Sequence, residues 1–550
     1  MMDEETDTNT DMNAETDSEV DAITLEIMRN QFESVAEEMG QVLITSSYSP
    51  NIKERRDCST ALFDADGHLV AQAEHIPVHL GAMPEAVQTV LGYDPKPGDV
   101  FVLNDPFEGG THLPDVTMVS PLSLDGEILG FAVSRAHHAD VGGMAPGSMP
   151  AGAREIYQEG LRLPPVRLVE GGEVNDDVMS VLLANVRNPG ERRADIRAQI
   201  AANERAEERL GDLVEEHGKP QVVAAFDAVM AYSRDRVTAE LRALPDGEYH
   251  ARDVLEGDGV TDEDIPIEVT VSIDGETVAV DFDGTAPQVA GNVNAPLAVA
   301  KSAVYFVVRC VTDPEIPPNQ GCYDPITVSV PEGTLLNPNA PAAVVGGNVE
   351  TSQRVTDVVF TALAEAAPDR VPAQGQGTMN NLTIGSRAGG SEGFTYYETI
   401  GGGFGGRASG DGMDGVQVGM TNTLNTPIEA LEAEYPLFVE EYSLRENSGG
   451  RGRYRGGLGI VRSVTIEADA TVSLLTERRR VAPKGIAGGE DGATGQNLVD
   501  GESVPAKTTR DVPAGTTVTV RTPGGGGHGT PEDRSTADKE RDAEDGKVKR

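Results

Sequence analysis

The stretch FVLNDPFEGGTHLPDVTMVSPLSLDGEILGFAVSRAHHADVGG, residues 101–143, decides how this chain folds. It opens on a strand-like run, FVLNDPF (101–107), and closes on another, FAVSRAHH (131–138). Between them SLDGEI carries Asp125-Gly126, a pair suited to the positive φ angles of a tight hairpin turn. Strands joined in this way bring His112, Asp115 and His137 to adjacent strand ends. ALFDADGHLVAQ (61–72) and TVSIDGETVAVDF (270–282) repeat the pattern of Asp-Gly between apolar runs. Each therefore reads as a β-hairpin.

The chain has nine histidines in 550 residues, and three of them fall in this stretch. Two imidazoles and one carboxylate, with the remaining positions open, suit Mn, Fe or Zn, with Mn the first expectation. Gly109 and Gly110 let the backbone approach closely and adopt positive φ. His138 and Asp140 are spare candidates. Neighbours on an extended strand point to opposite faces, so His137 and His138 cannot easily face the same ion.

A chain of this length exceeds a single compact core, so several domains are expected. Aromatic content is 4% with no tryptophan, and the cores must be built from Val, Ile, Leu and Ala. The net charge of −46 repels nucleic acid and anionic membranes. Only nine of the 44 basic residues are lysine. Such an acidic, lysine-poor surface fits the cytosol of a salt-accumulating organism, where screening shortens charge repulsion to about 3 Å at molar salt. No apolar run is long enough to cross a membrane as a helix, and the acidic start is unlike a secretory signal. Cys58, Cys310 and Cys322 are odd in number and widely spaced, which suits reduced thiols in a cytoplasmic protein.

The expected class is α+β and multi-domain, with mixed sheets, β-hairpins and helical segments. Residues 1–20 and 530–550 read as disordered acidic tails. Residues 21–250 form the N-terminal metal-bearing α+β domain, 251–435 a middle α+β domain, and 436–529 a glycine-rich, β-rich C-terminal region. Met28, Phe32, Val35, Met39 and Val42 mark one helical face, with Asp21 as its N-cap. Residues 177–245 are helical, broken at Asn188-Pro189. APLAVAKSAVYFVVRCV (295–311) and VETSQRVTDVVFTALAEAAP (349–368) are further helices. No fixed-period repeat is present.

His75 and His79 lie four residues apart, but Pro77 between them argues against a shared helical face, so they read as a loop lining or supporting the site. GGGFGG (401–406) matches GxGxxG spacing, yet RASGDGMDG follows it instead of a helix, so it is no Rossmann fingerprint. No P-loop motif occurs. Cys58 reads as a buried thiol, not a nucleophile. The candidate catalytic groups are His79, Asp140 and Glu398. Other carboxylates, among them Asp411, Asp414, Glu429 and Glu432, are weaker choices in so acidic a chain.

Eleven ordered segments, among them NIKERRDCSTALFD, NDPFEGGTHLPDVTMVSPL, AHHADVGG, GNVETSQRVTD, YYETIGGGFGGR and TPGGGGHGTPEDR, together resemble the hydantoinase B/5-oxoprolinase family. The resemblance runs from about residue 23 to 534. It implies a hetero-oligomer in which a separate hydantoinase A-type subunit binds ATP, in keeping with the absent P-loop. It also implies a divalent metal on His112, Asp115 and His137, selecting His137 over His138. The implied activity is ATP-dependent hydrolysis of a small cyclic amide of the N-methylhydantoin or 5-oxoproline type. Phosphorylation on the partner would activate the ring for attack by water at the metal. Relatives that carboxylate acetone make an ATP-dependent ketone carboxylase the alternative, and a non-catalytic scaffold subunit is a second. Cys58 departs from the family, standing where an aromatic residue is expected.

Overall fold

In the computed structural model, which describes residues 20–386 and 393–548, the first element is the helix Ala22–Ser46. Asp21 caps it, its Oδ1 accepting from the backbone N–H groups of Ile23 (2.9 Å) and Thr24 (3.1 Å). Met28, Phe32, Val35 and Met39 form its buried face, while Val42 is only half-buried. The expected tail at 1–20 lies, apart from Val20, outside the described residues.

A seven-stranded sheet follows, built from β1 (Cys58–Asp64), β2 (Leu69–Glu74), β3 (Val100–Leu103), β4 (Asp115–Leu124), β5 (Glu127–His137), β6 (Val166–Glu170) and β7 (Glu173–Val174). Its order is β2-β1-β5-β4-β3-β6-β7. Two of the Asp-Gly hairpins are β1–β2 and β4–β5. Asp125 and Gly126 both take positive φ (52° and 83°), the conformation a two-residue hairpin loop demands. FVLNDPF and FAVSRAHH are not paired, because β4 lies between them.

Both faces of this sheet are covered, and period-two alternation sorts its residues. Leu62 of β1 with Ala132 and Ala136 of β5 pack against the helices Ala22–Ser46 and Pro189–His217. Phe63, Phe131 and Val133 point the other way, into a core shared with Val299, Val304, Val355 and Val358. Those valines belong to the helices Leu297–Val311 and Ser352–Leu363. The expected domains 21–250 and 251–435 therefore share one core. Around the helices lies a second sheet of β8 (Gly247–Glu256), β9 (Asp264–Asp274), β10 (Thr277–Asp281) and β11 (Ile326–Ser329). β9–β10 is the third Asp-Gly hairpin. A π-helical turn, Gly347–Thr351, precedes the helix Ser352–Leu363.

The C-terminal third is two stacked sheets. Its strands are β12 (Asn381–Ser386), β13 (Thr395–Glu398), β14 (Leu437–Leu444), β15 (Ile460–Ile466), β16 (Ala470–Leu475), β17 (Gln496–Val499), β18 (Glu502–Ser503), β19 (Lys507–Val512) and β20 (Thr516–Arg521). The orders are β13-β12-β16-β19 and β14-β15-β20-β17-β18. Because β12 pairs with β16, the expected boundary at 435 cuts through a sheet, and residues 381–398 belong with the C-terminal unit. The glycine clusters explain themselves here. A Cβ on Gly403 would lie 2.1 Å from Gly457 O, and one on Gly525 would lie 2.1 Å from Phe404 O. Backbone packs directly on backbone, and Gly406 N donates to Gly526 O while Gly457 N donates to Phe404 O. The amides of GGGFGG are thus used internally.

The tail expected to be disordered after residue 530 instead holds the helix Thr536–Glu544. Asp542 on that helix is buried and pairs with Arg534 (2.7 Å), which also pairs with Asp411 (2.7 Å). Charge pairing fixes this helix, which is why a search for an apolar face passes over it. No helix among the described residues is long and apolar enough to cross a membrane.

Candidate metal centre

Asp115 is the first residue of β4 and His137 the last of β5, and the ladder pairs them directly. His112 sits on the turn entering β4, where Asp115 N donates to His112 O at 3.0 Å. This turn requires its glycines. Gly109 has φ +88°, and a Cβ on Gly110 would fall 2.5 Å from Asn104 O. One ligand atom from each of His112, Asp115 and His137 lies within 4.8 Å of the other two. The three residues are 0%, 1% and 3% exposed.

The polar atoms here are held but not consumed. Asp115 Oδ2 accepts from Thr111 Oγ1 (2.7 Å) and Asn348 Nδ2 (3.2 Å). Asp115 Oδ1 lies 3.1 Å from His112 Nε2 and 3.9 Å from His79 Nε2. Among the described residues Nδ1 of His112 and Nε2 of His137 have no hydrogen-bond partner, and Nε2 of His112 has none in good geometry, although Asp115 Oδ1 is close by. A buried polar atom without a partner is costly, and a cation among two imidazoles and a carboxylate resolves that cost. Such a donor set fits a divalent transition metal. Burial works to raise the Asp115 carboxyl, but the imidazoles of His112 and His79 outweigh it and hold it well below the usual range. Burial and the neighbouring His112 push His137 well below the usual histidine range, which keeps its ring neutral and able to ligate.

A shell of side chains from distant segments fixes these ligands. Asn51 Nδ2 donates to His137 O (2.7 Å) and lies 3.0 Å from His137 Nδ1. Asn51 Oδ1 is taken by Arg55 Nη1 at 2.6 Å. The nitrogen of His137 left without a hydrogen bond, Nε2, is the one that would hold a metal. The Tyr397 ring stacks on His137 (4.6 Å, 8°), and the Arg55 guanidinium lies 5.1 Å over Tyr397. Tyr397 OH donates to Asn381 Oδ1 (2.9 Å), and Asn381 Nδ2 donates to Glu350 Oε1 (2.8 Å). Burial lifts the Glu350 carboxyl to about 8, against the lowering effect of a hydrogen bond from Thr378. Asp57 is raised to about 7, burial outweighing the attraction of Arg55.

Of the three candidate catalytic residues, the structure brings only one to the cluster. His79 lies on the 3₁₀ turn Pro77–His79, buried, with Nδ1 2.9 Å from Ser59 Oγ. Burial lowers its pKa. Asp140 stands apart and is saturated. Its carboxylate accepts from the backbone of Gly142, Gly147 and Arg187 and pairs with the Arg187 side chain, so it pins a loop. Glu398 also lies elsewhere, paired with Arg462 (3.3 Å) and accepting from Tyr396 OH (2.9 Å). Alternation along β13 turns Tyr397, not Glu398, toward the histidines. The same parity separates His138 from His137. His138 Nε2 meets Gln199 Oε1 at 2.9 Å on the helical side of the sheet, where burial depresses its pKa to about 4.

Sequence reasoning missed Asn51, Asn348, Glu350 and Tyr397 as parts of the site. Each lies in a segment already marked by the family resemblance, but none belongs to a residue type that spacing alone flags as a ligand.

A family model described as hydantoinase B/oxoprolinase matches residues 21–531. An uncharacterised protein of Methanocaldococcus jannaschii is 42% identical over 525 residues, which is 94% of this chain and 92% of that protein. 5-oxoprolinase 1 of Arabidopsis thaliana is 40% identical over 540 residues, 93% of this chain; the chain spans only 42% of the plant protein's length. The crystal structure of the ATP-dependent caprolactamase from Pseudomonas jessenii superposes with a TM-score of 0.89 at 31% identity, over 96% of this chain and 95% of that one. The segments that read as family motifs thus sit within one continuous match, and the chain belongs to the hydantoinase B/oxoprolinase family.

Proposed function

We propose that this chain is the B-type subunit of an ATP-dependent cyclic-amide hydrolase and carries a divalent metal on His112, Asp115 and His137. The observation that carries this reading is the convergence of buried imidazole nitrogens without hydrogen bonds and a carboxylate within 4.8 Å of one another. Its setting is a chain that superposes along almost its whole length on an ATP-dependent caprolactamase. A divalent cation held there supplies Lewis-acid polarisation of a carbonyl and acidification of water.

The chain's own residues do the rest. Thr111 and Asn348 fix one oxygen of Asp115 and leave the other facing the histidines. His79, kept neutral by burial, is the proton acceptor beside that carboxylate. Tyr397, stacked on His137 and itself held under Arg55, fixes the plane of that imidazole. ATP binds on a separate A-type subunit. The unmatched length of the plant 5-oxoprolinase has room for such a function.

Co-expression with the A-type partner tests the proposal. ATP- and metal-dependent ring opening of 5-oxoproline, N-methylhydantoin or caprolactam is expected without bicarbonate and is abolished in His112→Ala. Turnover that requires bicarbonate and a ketone would replace hydrolysis with carboxylation.

A further inference from the structure

Away from the metal cluster, a cleft of about 310 Å³ opens between the helix Ser352–Leu363 and the glycine loops of the C-terminal unit. None of His112, Asp115 or His137 lines it. Gln353, Thr356, Asp357, Phe360 and Thr361 line it from one face of that helix, at the i, i+3, i+4, i+7, i+8 spacing of a single stripe. Its walls are apolar. Phe306, Phe360 and Phe404, three of the chain's 12 phenylalanines, contribute half-buried rings, and Phe306 meets Phe360 edge-on at 6.3 Å.

The charge at its rim runs against that of the chain. Arg370, Arg407 and Lys484 line the cleft against a single acid, Asp357, whereas the chain as a whole is at −46. Arg370 is engaged by Glu240 (2.8 Å), Lys484 by Asp491 (2.8 Å), and Asp357 by Arg478. Arg407 is exposed, and among the described residues its guanidinium has neither an ion pair nor a hydrogen bond. Of the three cations that line the cleft, Arg407 is the one whose charge no acid among the described residues takes up. The fork of a guanidinium matches a carboxylate or phosphate. Pockets of this size with few polar groups take small ligands with an apolar body.

We infer that this cleft binds a small organic anion, a carboxylate or a phosphate monoester, with its aromatic or aliphatic body against Phe306, Phe360 and Phe404 and its charge on Arg407. This assignment stands independently of the hydrolase reading, since binding is measured without turnover.

Calorimetric titration of the full chain with 3-phenylpropionate and with phenyl phosphate, against benzyl alcohol as the uncharged control, tests it. One-to-one binding of at least one anion and none of the alcohol is expected, and whichever anion binds identifies the head group. Arg407→Ala should weaken binding at least about tenfold, with Arg407→Lys in between. Thr361→Trp, which fills the cleft from an exposed position, should abolish it. Arg451→Ala, at an exposed arginine outside the cleft, should leave it unchanged. Absence of binding by both anions, equal binding of the alcohol, or an Arg407→Ala affinity equal to that of the parent would overturn the assignment.

Discussion

Two buried polar regions of this molecule handle their charge in opposite ways. Where the middle sheet meets the C-terminal unit, three cations face three anions. Arg354 pairs with Asp253 (3.0 Å) and Glu477 (3.3 Å), Arg478 with Asp253 (3.3 Å) and Asp357, and Lys507 with Glu477. Arg354 and Arg478 are wholly buried. The candidate metal cluster is just as deeply buried; both regions hold nitrogens without a hydrogen bond, but Arg354 and Arg478 belong to paired charges, whereas His112 and His137 gather theirs around one carboxylate. A lattice whose charges cancel holds segments together. A cluster that withholds its hydrogen bonds is prepared for something absent from the chain.

The largest expected effect breaks the lattice. Arg354→Met takes from Asp253 and Glu477 one of the two cations each has, leaving Arg478 and Lys507, and removing one partner of a buried pair costs up to about 3–5 kcal/mol. Chemical denaturation should report that loss, while metal per folded chain stays as in the parent. An unchanged denaturation midpoint would dissolve the contrast between the two regions.

Glu350 lies between them, influenced electrostatically by Glu477, Lys507 and Arg479 and joined through Asn381 to Tyr397. Its folded pKa is about 8, above the unfolded value of about 4.3. A raised folded pKa means that its contribution to stability is complete below about pH 4.3 and is lost as pH rises toward 8. The slope it adds reaches up to about 1.4 kcal/mol per pH unit. Glu350→Gln, neutral and of the same shape, should flatten the stability profile between pH 5 and 8. A profile with the parent's slope would show that Glu350 does not take up a proton on folding.

Tyr397→Phe is the smallest change. It keeps the ring stacked on His137 and removes the phenol that donates to Asn381, at a cost of about 1 kcal/mol. Metal should be retained. A variant that lost its metal would make Asn381 and Glu350 part of the metal's support.

How much of this was legible in the sequence depends on distance along the chain. The Asp-Gly hairpins and the helix capped by Asp21 follow from local pattern, because turn chemistry and period-two alternation act over a few residues; the direct pairing of Asp115 with His137 does not, since the strand that Asp115 opens lies between the two runs expected to be joined. The choice of His137 over His138 needs only parity once the strand is placed. The site's support does not follow. Tyr397 reaches His137 across 260 positions, and β12 joins β16 across 89 by first residues, a separation that hides the pairing from local pattern and leaves 435 as the expected boundary. Glu398 was the natural choice by side-chain chemistry, and one step of strand alternation turned it toward Arg462. The C-terminal helix escaped notice because aspartates and arginines hold it.

The most direct test is the metal content of the purified chain, by elemental analysis after growth with added divalent cations. The account predicts about one transition-metal ion per chain, lost in His112→Ala with the denaturation midpoint in metal-free buffer nearly unchanged, and retained in His138→Ala. A parent chain that binds no metal, or a His112→Ala chain that keeps it, would contradict the account.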